Sequence, residues 1–274
     1  MKLSLVRDEI FDNGQTVIRA IRGGTTARRS VVVTFAEMHA NDVQKDGFAQ
    51  NLLLRNGHDV VTVQKRGENW YQDLSLEAFR EVVQPVTGAY ERVACYGASM
   101  GAYAAIYFGG AIGAAILALS PLNSIDPRYP QMQNTPLRRS VGFAHRRIGE
   151  VPRSDAPCLI AYDPLDAWDR LYVEGEILPH FPAASILQTP FLGHPCTHAL
   201  QQMGLLKGLV LEFLDSGHFS PPRIAADIRR NRKNSPAYIN NLANFLQRRS
   251  RRRLAEITLG YGAARHPDWS FRTI

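Results

Sequence analysis

Cysteine is scarce in this chain: three residues in 274, Cys95, Cys158 and Cys196. The number is odd and two of the three sit in strand-like apolar runs, which argues against a disulfide framework and fits buried thiols in a reducing compartment. Long apolar runs are missing as well. The opening MKLSLVRDEIFDNG has one basic residue and an apolar run that Arg7 and Asp8 cut short. That is too little for a secretory signal, and it reads as a first strand. No stretch reaches the roughly 20 apolar residues of a membrane-spanning helix, so no span and a cytoplasmic location are expected. Clustered metal ligands are lacking too. His194-Pro-Cys196-Thr-His198 has the residue types of a zinc site, but no partner cluster stands at a recognisable spacing, and neither a metal nor a cofactor is expected.

Negative charge is what the last part of the chain lacks. Residues 216–274 hold 12 Lys/Arg against 3 Asp/Glu, leaving 20 against 22 for the rest, so the formal net charge of +7 belongs to the tail. Such a cluster attracts nucleic acid, anionic lipid or an acidic partner, but a solvated helical face is the commoner cause. No nucleic-acid motif accompanies it. A protein partner or self-association through residues 216–274 is the expectation for the tail, and nucleic acid is not expected. Ile239, Leu242, Ala243, Leu246, Ala255, Gly262, Leu259 and Pro267 fall at spacings that resemble one 34-residue tetratricopeptide-like unit over 236–269, with no second copy immediately upstream. A lone helical hairpin cannot bury its own apolar face, so it is expected to pack on the main body or on another subunit.

What is present is an ordinary globular composition, 45% hydrophobic and 21% charged, with a regular rhythm. Residues 2–6 and 15–21 alternate around the turn signal FDNG and predict an antiparallel hairpin. SVVVTF at 30–35 is a continuous β-branched run suited to a strand buried on both faces. A helix is expected from Asn41 or Asp42 to Asn56-Gly57. Strand HDVVTVQ, helix SLEAFREVVQPV with Ser75 as N-cap, strand RVACY, helix GAYAAIYFGG and strand AAILAL follow. After a Pro- and Arg-rich break at 121–156 come strand CLIAYD, a helix near AWDRLYVEG, strand ASILQT and helix THALQQMGLLKGLVLEFL. Alternating strands and helices predict βαβ units, hence an α/β fold with a mostly parallel, doubly wound sheet. The expected division is a body over 1–215, with 121–156 inserted, and a helical extension over 216–274.

Within that rhythm, Gly97-Ala98-Ser99-Met100-Gly101 fits G-x-S-x-G. Strand RVACY leads into it and an alanine-rich helix leaves it, the context of a nucleophile elbow, where a tight turn lifts the serine hydroxyl above the sheet. A serine needs a base, and the base needs an acid to orient it. Downstream, Pro157-Cys-Leu-Ile-Ala-Tyr-Asp163-Pro-Leu-Asp166 ends a strand with two carboxylates, and PFLGHPCTHAL follows the last strand with His194 and His198.

On these residues the chain resembles the α/β-hydrolase superfamily from about residue 2 to 215. The resemblance implies Ser99 as nucleophile, Asp166 as acid and His194 as base, with Asp163 as the alternative acid; Asp163 and Asp169 are also candidates to cap the next helix. It implies an oxyanion hole from the Met100 amide and from that of Ala36 or Glu37, although Phe35-Ala36-Glu37-Met38 stands where relatives carry His-Gly. Trp70 and Tyr71, on the carboxyl edge of the sheet, are candidate substrate-binding residues. The insertion 121–156 takes the place of a lid and carries six arginines against three acids. The implied activity is a serine hydrolase acting on a carboxylic ester or thioester of a small-molecule or acylated substrate, or an acyltransferase with the same machinery. The rival is a catalytically silent protein of this fold that binds through its basic C-terminus.

Overall fold

In the run Ser30–Phe35, every residue is buried, and alternate side chains serve opposite faces. Val31, Val33 and Phe35 join the core cluster on one side, while Val32 joins the one on the other. A strand with two buried faces belongs in the middle of a sheet flanked by two helical layers. The computed structural model of the protein describes residues 5–23 and 29–272, and it has that architecture.

The strands are β1 (Leu5–Asp12), β2 (Thr16–Gly23), β3 (Ser30–Phe35), β4 (Asp59–Lys65), β5 (Arg92–Ala98), β6 (Ala115–Leu119), β7 (Cys158–Tyr162) and β8 (Ser185–Gln188). They form one eight-stranded sheet in the order β1-β2-β4-β3-β5-β6-β7-β8. β2 runs antiparallel to both its neighbours, and β4, β3, β5, β6, β7 and β8 are mutually parallel. The helices are α1 (Gln50–Arg55), α2 (Leu76–Thr87), α3 (Met100–Gly109), α4 (Pro136–Ser140), α5 (Ala167–Tyr172), α6 (Cys196–Gln202), α7 (Leu206–Ser216), α8 (Pro221–Asn231), α9 (Pro236–Arg248) and α10 (Arg252–Arg265). The core on one face is built from α2 and α3, and that on the other from α1, α6, α7 and α8.

The hairpin forms, but its first strand runs through Phe11 and Asp12, and the turn falls at Asn13-Gly14-Gln15, where the Asn13 side chain accepts from the Gln15 and Thr16 amides. Residues 2–4 of the predicted strand lie outside the described residues. The helix expected from Asn41 is only α1. Gly47 lies so close to Thr62 that a Cβ would stand 2.3 Å from its Cγ2, so the stretch before α1 follows the sheet rather than coiling. Ser75 caps α2 as predicted, accepting from the Ala78 amide at 3.0 Å. The long helix expected after β8 is broken into α6 and α7 at Gly204, whose φ of +73° is open to glycine at little cost.

At the C-terminus α9 and α10 make a helical hairpin. Ile239, Ala243, Ala255 and Gly262 are among its buried residues, and a Cβ on Gly262 would stand 2.9 Å from Ile239. The hairpin packs on the body: Ser235 donates to the Gln202 side chain at 2.7 Å, and Phe191 meets Tyr238 and Phe245 edge-on. No helix among the described residues is long and apolar enough to cross a membrane.

Two buried polar clusters help tie the inserted segment down. Asp126 and Glu176, both buried, clamp the Arg128 guanidinium, with Glu176 taking it bidentately at 2.6 and 2.8 Å. His145 stacks on Tyr107 at 4.0 Å between ring centroids, accepts from the Tyr103 hydroxyl at 2.8 Å and donates through Nε2 to the Leu74 carbonyl at 3.2 Å. Burial pulls its pKa down to about 4. Its folded-state pKa is thus below the ordinary value of about 6.5, and the unfolded chain binds the extra proton first as pH falls. Stability from this site is complete above about pH 6.5 and is lost as pH falls through about 4. Urea titrations at pH 7 and pH 4.5 are expected to show a smaller acid loss in His145→Gln than in the unaltered protein, the full span of the effect being about 3 kcal/mol.

Candidate active site

The turn from β5 into α3 brings strand and helix so close that only glycine fits on either side of Ser99. A Cβ on Gly97 would stand 2.2 Å from the carbonyl of Gly101, and one on Gly101 would stand 2.5 Å from the Phe35 carbonyl oxygen. Ser99 itself adopts φ 51° and ψ −118°, a strained conformation costing about 1–3 kcal/mol. The Ser99 amide donates to Leu119 and its carbonyl accepts from Leu122 and Tyr103, so neighbouring elements hold the strain in place.

His194 follows β8 and reaches back over the sheet. Ser99 Oγ lies 2.7 Å from His194 Nε2, and His194 Nδ1 lies 2.5 Å from Asp169 Oδ1. The imidazole is one-fifth exposed and the Asp169 carboxylate is fully buried. The second Asp169 oxygen accepts the Asp163 amide at 3.1 Å, so both oxygens have partners and the carboxylate has one orientation.

The carboxylate that meets the imidazole is therefore neither of the two expected. Asp166 is the N-cap of α5, and its Oδ1 accepts from the Trp168 and Asp169 amides at 3.0 Å each. Asp163 accepts from the Leu165 and Gly193 amides at 2.9 and 2.8 Å, and so fixes the loop that carries His194; burial raises its pKa. Asp166 stops one helical turn short. Capping α5 there turns Asp169, the third helical residue, inward under the imidazole. Carboxylates favour both a cap and a first turn, so three aspartates at intervals of three could not be ranked from the sequence.

Of the three amides expected at the oxyanion position, that of Ala36 is spent on the Val63 carbonyl at 3.0 Å. Met100 opens α3, where the amide has no intrahelical acceptor. Glu37 and Met100 line the cavity over Ser99 together. Burial raises the Glu37 carboxyl above its ordinary pKa, against the opposing pull of Lys65. The loop is held by a buried clamp that no motif in the sequence marks. Glu68 accepts from the His39 amide at 2.6 Å and from Asn41 at 2.8 Å, and Lys65, fully buried, reaches Glu68 at 3.2 Å. Burial lowers the Lys65 pKa, with Glu68 opposing. The only sequence signal was a lysine ending a strand three residues before a glutamate.

Trp70 is buried and lines the cavity over Ser99. Tyr71 does not reach it: it is fully buried and donates to the Ala36 carbonyl at 2.7 Å, propping the loop before Glu37. Arg138 of the inserted segment, with its guanidinium 5.0 Å over the Trp168 ring, lines this cavity. His194, Cys196 and His198 diverge: the first faces Ser99 and Asp169, the second is buried in the core, and the third is exposed beside Gln202.

No family model matches the chain, and no curated protein matches it in sequence. Solved structures do match in fold. An esterase of Pyrococcus furiosus superposes with a TM-score of 0.53 at 14% identity, over 78% of this chain and 90% of the esterase. The capsule O-acetyltransferase of Neisseria meningitidis serogroup A superposes with a TM-score of 0.52 at 10% identity, over 75% of this chain and 94% of that protein. The eight-stranded, mostly parallel sheet with helices on both faces is the α/β-hydrolase fold.

Proposed function

We propose that the protein is a serine hydrolase that cleaves a carboxylic ester or thioester through an acyl-enzyme on Ser99. The observation that carries this reading is the unbroken line from Ser99 Oγ through both nitrogens of His194 to buried Asp169. Asp169 holds the Nδ1–H tautomer, so Nε2 is free to take the Ser99 proton as Oγ attacks the substrate carbonyl. The oxyanion that forms is held by the Met100 and Glu37 amides. His194 then returns the proton to the leaving oxygen, and the C–O bond breaks to release the alcohol. Water attacks the acyl-enzyme, losing its proton to His194, and Ser99 regains a proton as the carboxylic acid departs. An alcohol in place of that water gives acyl transfer with the same groups, and the two neighbours, named as an esterase and an O-acetyltransferase, represent the two outcomes.

A fluorophosphonate probe tests the reading. Labelling is expected in the unaltered protein, absent in Ser99→Ala and much slower in His194→Ala. A protein that is folded by circular dichroism yet unlabelled would overturn the hydrolase reading in favour of a silent, binding role.

A further inference from the structure

We infer that the cleft between α5, the His194 loop and α9 is the leaving-group subsite, and that it takes an alcohol bearing a carboxylate or a phosphate. This rests on the serine hydrolase reading. Two cavities meet at His194. The smaller, about 250 Å³, lies over Ser99 and is lined by Glu37, Trp70, Met100 and Leu122. The larger, about 800 Å³, is lined by Arg170 of α5 and by Phe245, Arg248 and Arg249 of the C-terminal hairpin. His194 and Trp168 line both.

The chemistry sorts the two spaces. The amides assigned to the oxyanion, Met100 and Glu37, belong to the smaller cavity, so the carbonyl and its acyl chain sit there. A space of about 250 Å³ is below the usual size of a small-molecule site and suits a short acyl chain. The leaving oxygen takes its proton from His194 Nε2, so the alcohol departs toward the imidazole, where the larger cleft opens.

That cleft has a wall of its own. Asn241 of α9 donates to the Phe191 carbonyl at 3.1 Å, and the Phe191 and Phe245 rings meet edge-on at 5.2 Å, which fixes the helix to the loop carrying His194. Arg170, Arg248 and Arg249 are exposed around the opening, and among the described residues no carboxylate pairs with them. The two lining aspartates, Asp163 and Asp166, are bound to backbone amides instead. Arg249 lies 5.4 Å over the Phe245 ring, a contact that leaves its donor edge open. Planar guanidinium donors without a carboxylate partner around one concavity match carboxylate or phosphate oxygens.

The test uses three esters that share an acetyl group: phenyl acetate, 4-acetoxybenzoate and 4-acetoxyphenyl phosphate. At low salt kcat/KM for a charged ester is expected to exceed that for phenyl acetate by about tenfold, shrinking as salt screens the contact. Arg170→Gln/Arg248→Gln/Arg249→Gln is expected to lower that ratio about tenfold, whereas Arg229→Gln/Arg252→Gln/Arg253→Gln, on exposed helix faces away from the cleft, leaves it unchanged. The better of the two charged esters tells carboxylate from phosphate. Binding of 4-hydroxybenzoate and phenyl phosphate to Ser99→Ala protein, with and without the cleft substitutions, reads the same preference without turnover. Equal ratios in the cleft variant and the unaltered protein, or no preference for either charged ester, would overturn the subsite while the hydrolase reading stands. Absence of probe labelling and of turnover for every ester would overturn that reading instead.

Discussion

Asp169→Asn is expected to lower kcat for hydrolysis of 4-nitrophenyl acetate about ten-thousand-fold with little change in fold, while Asp166→Asn stays within a few-fold of the unaltered protein. An asparagine at 169 presents an amide where the imidazole needs an acceptor for its Nδ1–H. The ring then carries its proton on Nε2, the nitrogen that faces Ser99 at 2.7 Å, and can no longer take one from the hydroxyl. At 166 the side-chain oxygen only has to accept from the Trp168 and Asp169 amides, which asparagine does as well as aspartate. Steady-state rates for the two variants therefore separate an orienting carboxylate from a helix cap one turn away. The reverse order, a large loss at 166 and a small one at 169, would return the acid to the position that the superfamily resemblance suggested.

Arg128→Met carries the largest expected effect on stability, a loss of about 3–5 kcal/mol. Asp126 and Glu176 are 1% and 5% exposed at their side chains and share this one guanidinium. Removing it leaves two carboxylates close together, desolvated and mutually repelling. Urea unfolding at pH 7 measures the loss. Arg128→Met combined with Asp126→Asn and Glu176→Gln is expected to recover much of it, because neutral groups of the same shape no longer carry the buried charge. Failure of the triple variant to recover would assign the loss to packing of the arginine stem. These contacts also explain why the arginine-rich insertion is a poor guide to substrate charge: Arg128 works as an internal clamp, and Arg146 pairs with Glu77 at 3.0 Å.

The amino-acid sequence by itself determined the layering and the tight turn at Ser99. Continuous runs such as SVVVTF can only be central strands, because every side chain must be buried and neighbours point to opposite faces. Gly97 and Gly101 are dictated by contacts of 2.2 and 2.5 Å that no side chain tolerates, so the elbow around Ser99 was legible in five residues. What tertiary structure alone decided were choices among chemically equal groups. Asp163, Asp166 and Asp169 differ only in where a capped helix aims them. The Ala36 amide differs from that of Glu37 only in having a strand neighbour, Val63, to accept it. Tyr71 and Trp70 are adjacent in sequence, yet one props a loop and the other lines the cavity, because the turn holds both at positive φ and points their rings apart. Spacing alone predicts that the C-terminal hairpin packs on the body or on another subunit; its docking through Asn241 and Phe245 makes it a wall of the cleft beside His194. Residue type and local spacing fix which chemistry a chain can offer, and long-range packing fixes which of several equivalent groups reaches the reacting atoms.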